Sequence, residues 1–228
     1  MTLFVVPTPI GNLEDVGARC LRVLREASAV FCEDTRRTRI LMSHFGLSKP
    51  LERYDENDER SVERLLERLR RGESVALVSD GGSPGLSDPG RRAVARARRE
   101  GLPVHSLPGP FAAATAVAGS GLPGDSFLFL GFLPRGAAKR RRALEEAKTL
   151  GRTIAVYESP FRVLELMNDA LAALGPGAQC VIARELTKVH EEWLSGSVES
   201  VRGLLSAKPQ ILGEFVVLFH PEPEPAHA

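Results

Sequence analysis

At 228 residues, with 43% apolar and 26% charged side chains, the chain is long enough to bury one large core or two modest ones. A formal net charge of +1 excludes a globally basic nucleic-acid binder, and no eighteen apolar residues follow one another, so no membrane-spanning helix is expected. Cys20, Cys32 and Cys180 are odd in number and widely spaced, which argues against a disulfide framework or a thiolate metal site and for a reducing cytoplasm.

In chain order, "LFVV" stops at Pro7 with neither a basic lead-in nor a cleavage site, so no export is expected. It is followed by "EDVGARCLRVLREA", whose Val16, Cys20, Val23 and Leu24 share a helix face. "AVFCE" precedes "TRRTRILMSHF", "VALVS" precedes "DPGRRAVARARRE", and "PVHSL" precedes "GPFAAATAVAGSG". Alternation of this kind predicts a mostly parallel sheet covered on both faces. Asp88 before Pro89 reads as a helix N-cap with proline at the first helical position, and Pro110 as the start of an alanine-rich helix.

The pattern breaks at "GSGLPGDS" (119 to 126), the expected domain boundary. Beyond it "FLFLGF", "TIAVYES", "QCVIARE", "EEWLSG" and "GEFVVLFH" bring more strands and fewer long helices, which suggests a second α/β unit with some antiparallel pairing. The expected organisation is an α/β domain over 1–120, a second over 121–220 and a disordered tail over 221–228.

The densest Gly/Pro segment hangs on a buried strand: "VALVSDGGSPGLSDPG", residues 75 to 90. It has neither the lysine of a Walker A loop nor the spacing of a dinucleotide fingerprint, and no G-x-S-x-G elbow marks Ser79 or Ser83 as a nucleophile. The five histidines are scattered, and no metal is expected. Ligands in open α/β sheets sit at the carboxyl ends of strands. There this loop would meet "PTPIGNLED" (7 to 15) and "LPGPFAAATA" (107 to 116), forming a pocket lined mainly by main chain. Arginines outnumber lysines twenty-five to five and bunch at 36–39, 96–99 and 139–142, a bias compatible with phosphate contacts and equally with solvated helix faces.

The segments "VPTPIGNLEDV", "EDTRRT", "VALVSDGGSPGLSDPG", "SGLPGDSFLFLGFLPR", "YESPFR" and "ARELTKVHEE" together resemble the ribosomal RNA small subunit methyltransferase I family, over residues 3 to about 220. The resemblance implies the tetrapyrrole-methylase fold: two α/β domains, the first mostly parallel and the second mixed, with the donor site in the cleft between them. It also implies S-adenosylmethionine as methyl donor, the ribose 2′-oxygen of a cytidine in 16S ribosomal RNA as acceptor, and a cytoplasmic homodimer. By the same resemblance Ile10, Val78, Ser79, Asp80, Gly81, Ala112, Glu158 and Leu186 would touch the donor. A 2′-hydroxyl needs a base, for which Asp34 and Glu185 are the candidates, either of which could instead serve an ion pair or a cap. Arg36, Lys139, Arg140, Arg141 and Arg142 are the candidate phosphate contacts.

The sequence departs from the family pattern at Phe111 and Phe161, where serine and histidine are usual, and at "RYDENDER" (53 to 60). The aromatics could pack in a core or stack on an unpaired base. Many relatives continue past "GEFV" into a basic tail, so weak binding to isolated RNA and action on an assembled subunit are expected. Two other readings stay open: a tetrapyrrole or diphthine-type methylase, which the absent "G-x-G-P-G" loop disfavours, and a non-catalytic nucleoside sensor.

Overall fold

The computed structural model describes residues 1–221, so the predicted tail lies, from residue 222 on, outside the described residues. The chain divides into two units, Met1–Phe111 and a second from Ala112 on. The helix after "PGP" therefore falls in the second unit, ahead of the Gly-rich stretch at 119–126.

The first unit runs β1 (Thr2–Val5), α1 (Ala18–Glu26), β2 (Ala29–Cys32), α2 (Thr35–His44), β3 (Leu51–Arg53), α3 (Glu59–Arg70), β4 (Ser74–Leu77), α4 (Arg91–Arg99) and β5 (Val104–Ser106). The strands form one sheet in the order β3-β2-β4-β1-β5, every pairing parallel. Side chains alternate across a strand. Leu3, Phe31, Val75 and Leu77 accordingly meet Leu65, Leu66 and Leu69 of α3 and Ala93 and Ala97 of α4. Val30, Cys32, Ala76 and Val78 meet Cys20, Val23 and Leu24 of α1 and Met42 of α2. Burial on both sides explains why these strands read as continuous apolar runs. The chain leaves β1 and β2 toward one face and β4 toward the other, which opens a crevice beyond their carboxyl ends.

Two sequence expectations are corrected here. Helix α4 begins at Arg91 with Gly90 as its cap, at φ +145°, so Asp88 and Pro89 stay in the loop. Only glycine adopts that backbone readily. Pro110 likewise lies outside α5, which begins at Ala112.

The second unit comprises α5 (Ala112–Ser120), β6 (Phe127–Phe132), α6 (Ala137–Lys148), β7 (Thr153–Glu158), α7 (Val163–Leu174), β8 (Gln179–Arg184), β9 (Glu192–Ser197), α8 (Val198–Ser206) and β10 (Phe215–His220). Its sheet, ordered β6-β7-β10-β8-β9, is mixed: β6 and β7 are parallel, the rest antiparallel. Leu144, Ile154, Val156, Leu166, Met167, Ile182, Val201, Val217 and Phe219 anchor its core.

Candidate functional site

Three Gly/Pro loops interlock at the carboxyl edge of the first sheet, as their strands' order requires. Thr8 and Gly82 exchange both main-chain hydrogen bonds at 2.9 Å, which ties the loop after β1 to the loop after β4. The Thr8 hydroxyl donates to the Ser79 carbonyl (3.0 Å) and the Ser79 hydroxyl to the Gly82 carbonyl (3.1 Å). Ser83 Oγ donates to the Pro110 carbonyl (3.2 Å), bringing in the loop after β5. A Cβ at Gly109 would fall 2.5 Å from Pro7 Cβ, and one at Gly81 would meet the Pro9 carbonyl at 3.4 Å. Glycine is thus what lets three backbones come together with their peptide groups uncovered.

Beside this knot lies a cleft of about 190 Å³ lined by Thr8, Pro9 and Leu13, by Arg37, Thr38, Ile40 and Leu41 of α2, and by Ser79 and Asp80. Asp80 Oδ1 accepts the Asp34 N–H (3.2 Å), and its Oδ2 lies 3.7 Å from Arg37. Of the expected donor contacts, Ile10, Val78, Ser79, Asp80 and Gly81 gather in these loops, with Val78 and Ser79 buried and the others half-buried.

The expected proton acceptors are committed elsewhere. Asp34 caps α2, its Oδ1 accepting the Arg36 N–H (2.8 Å) and Nε (3.0 Å) and its Oδ2 the Arg36 Nη2 (2.7 Å). Those hydrogen bonds hold its carboxyl well below the usual carboxylate range. Arg36 is correspondingly engaged by Asp34. Glu185 Oε1 accepts the Glu214 N–H (2.8 Å) and Lys188 Nζ (2.9 Å). Burial pushes the Glu185 carboxyl up, but these two donors, with the charges of Lys188 and Arg184, outweigh it and leave it below its ordinary value.

Glu33, one residue before Asp34, was not singled out by the sequence. Its Oε1 is buried and accepts no hydrogen bond. Burial first, then the charges of Asp80 and Asp88, push its carboxyl up to about 7, against a smaller opposing contribution from the Asp80 backbone hydrogen bond. Asp88 rises to about 6 through burial and Asp80. The only sequence signal was its place at the end of an apolar strand that feeds the Gly/Pro edge.

In the second unit, Glu158 ends β7 almost wholly buried, its Oε1 accepting the Ser159 N–H (2.8 Å) and its Oε2 3.2 Å from Arg162. Leu186 is buried between Glu185 (φ +51°) and Thr187 (φ +67°), both in the left-handed region that costs a non-glycine residue energy. Ala112 opens α5, half-buried. Lys139, Arg141 and Arg142 are exposed on the first turns of α6. Arg140 is not available to a phosphate: it is 2% exposed, with Nε and Nη2 at 2.7 and 2.6 Å from Asp169 Oδ2. A buried guanidinium so paired is structural.

Residues 2–202 match the family model of Tetrapyrrole (Corrin/Porphyrin) Methylases. A protein of Halalkalibacterium halodurans named ribosomal RNA small subunit methyltransferase I is 45% identical over 95% of this chain and 75% of its own length. The chain belongs to the ribosomal RNA small subunit methyltransferase I group of the tetrapyrrole methylase family. A Thermotoga maritima member of that group is 44% identical over 95% of this chain and 96% of the relative. The tetrapyrrole methylase fold is shared with the uroporphyrin-III C-methyltransferase of Thermus thermophilus, solved in complex with S-adenyl homocysteine. That likeness has a TM-score of 0.64 at 19% identity and covers 96% of this chain and 97% of the other.

Proposed function

We propose that this chain transfers a methyl group to the ribose 2′-oxygen of a cytidine in 16S ribosomal RNA, within the small subunit, as a cytoplasmic homodimer. The methyl donor is S-adenosylmethionine. The observation that carries the reading is the interlocked three-loop edge, whose glycines leave peptide groups bare where side chains would fill the space, in a chain of this family. Such a cradle fits a donor that is held by hydrogen bonds to main chain and packed against Ile10 and Val78. Ser79, Asp80, Gly81, Ala112, Glu158 and Leu186 complete the proposed donor contacts.

When bound, the donor supplies an electrophilic methyl on a sulfonium sulfur, displaced in line. Holding an acceptor oxygen at near-attack distance contributes up to about 7–11 kcal/mol, so positioning is the largest contribution asked of the fold. The remaining task is to take the hydroxyl proton. Support for Glu33 in that role comes from its unpaired buried oxygen and from its carboxyl near 7, raised by burial and by Asp80 of the donor loop. Asp34 orders that loop by giving its N–H to Asp80 while its own carboxylate holds Arg36. Of the proposed phosphate contacts, Lys139 is exposed and makes no ion pair among the described residues, while Arg36, Arg141 and Arg142 would exchange Asp34, Asp169 and Glu146 for a phosphate.

The test incubates the purified protein with donor labelled in its methyl group and with small ribosomal subunits from a strain lacking this gene, followed by mass-spectrometric mapping of 16S RNA. One labelled ribose methyl on a cytidine is expected. Label on a base, on protein or on uroporphyrinogen but not on subunit RNA would overturn the reading.

A further inference from the structure

Phe161 is 90% exposed and Phe132 60% exposed, although both sit in short segments of a well-packed unit. Neither ring hangs on a loose loop. Arg162, next to Phe161, donates to the carbonyls of Leu133 (3.1 Å) and Pro134 (3.4 Å), and pairs with buried Glu158. The Ser159 carbonyl accepts the N–H groups of Arg162 and Val163, both at 3.1 Å. The β7–α7 turn that carries Phe161 is thereby bolted to the segment just after Phe132. Phe132 follows a register shift between Phe129 and Gly131 and lies edge-on to Tyr157 at 5.6 Å. A bulge of that kind re-aims the side chain that follows it.

The same segment carries cations. Arg140, buried against Asp169, also donates to the Arg135 carbonyl (3.3 Å), which fixes the turn. Arg135 and Lys139 are exposed and make no ion pair among the described residues. By contrast Arg141 leans on Asp169 and Arg142 on Glu146. Rigid exposed aromatic faces next to uncommitted cations match an unpaired nucleotide strand, which offers flat bases and phosphates together. A duplex hides its base faces.

We infer that the β6–α6 and β7–α7 loops form a binding surface for single-stranded RNA, with bases stacking on Phe161 and Phe132 and phosphates held by Arg135 and Lys139. The inference rests on the proposed RNA substrate and names the part of the chain that grips it.

Fluorescence anisotropy of the full chain with a labelled twelve-nucleotide single-stranded RNA, and with the same sequence as a duplex, tests it at low salt without methyl donor. Phe161→Ala is expected to weaken single-strand binding about 5- to 150-fold. It should leave duplex binding and the melting temperature unchanged, and Phe161→Trp should restore affinity. The double variant Arg135→Gln with Lys139→Gln should reduce the slope of log affinity against log salt by about 1.4. The inference is overturned if the wild-type chain shows no single-strand binding, if Phe161→Ala binds like wild type, or if its loss is equal on the duplex. It is also overturned if sedimentation shows Phe161→Ala dissolving a dimer with RNA affinity unchanged, which would make a second copy the occupant. Because no turnover enters, failure of methyl transfer to subunits would sink the proposed function while leaving this surface standing.

Discussion

Replacing Glu33 by glutamine removes the one carboxyl at the Gly/Pro edge that both titrates near 7 and keeps a buried oxygen unpaired. As general base it should contribute about 10²- to 10⁴-fold, so turnover falls by that factor while donor affinity holds. Stability should move the opposite way. A carboxyl whose ordinary value is 4.5 but which is held at about 7 when folded binds its proton more tightly in the native state. Its contribution to folding is therefore present below 4.5 and lost as pH rises through about 7. Unscreened, that shift corresponds to roughly 3 kcal/mol, and solvent screening of a half-exposed group reduces it to about 1–2 kcal/mol. The charges that act most strongly on Glu33 are those of Asp80 and Asp88 of the β4 loop and Asp55 after β3, all acidic, so neutral glutamine relieves repulsion. At pH 8 the variant should melt about 2–8 °C higher than wild type, and at pH 4 the two should coincide. Single-turnover rates from pH 5.5 to 8.5 should rise with unit slope to an inflection near 7 in wild type and be flat in the variant. Asp34→Asn should keep that inflection. A glutamine variant within threefold of wild-type rate, or an inflection that disappears with Asp34→Asn instead, refutes the assignment.

Two further substitutions test the architecture. Gly109→Ala places a Cβ 2.5 Å from Pro7, whose ring cannot retreat without moving the loop after β1, so a loss of about 1–3 kcal/mol in denaturant unfolding is expected. Calorimetry with sinefungin should show weakened binding in parallel. Arg140→Ala strands buried Asp169 and should cost about 3–5 kcal/mol, whereas Arg142→Ala, on the exposed side of the same helix, should stay within about 0.5 kcal/mol. Comparable unfolding midpoints for the two would show that Arg140 is not the internal anchor.

Most of this architecture is legible in the sequence because two-sided burial leaves continuous apolar runs and because Gly and Pro mark the places where backbones must meet. Strand β3 is not, since Leu51–Arg53 is short and charged and sits at the sheet's edge beside β2 alone. Helix α3 does carry a signal: Val62, Leu65, Leu66 and Leu69 share a buried face, and Asp58 caps it, accepting the Arg60 N–H. The acid-rich "DENDE" that runs into its first residue obscures that start. The interlock itself was foreseeable as a meeting of loops, but not its partners, since the Thr8–Gly82 bridge depends on β1 and β4 being neighbours.

Charged residues show where one-dimensional reading stops and what would extend it. In "CEDTRR" two adjacent carboxylates look alike, yet Asp34 meets a guanidinium at the start of α2 while half-buried Glu33 feels the charges of Asp80 and Asp88. Only the sheet order brings those loops together, so no local pattern could rank the two. In "KRRR" a pattern did exist. Arg140, Leu144 and Ala147 recur at helical spacing and are the buried residues of α6. An arginine on an apolar stripe demands a buried acid, and Asp169 stands on the corresponding stripe of α7, among Leu166, Met167, Ala170 and Ala173. Reading the period before the charge separates the internal anchor from the cations left for solvent and phosphate, and it leaves Arg135 and Lys139 as the pair whose affinity for RNA the fold does not already spend on an acid.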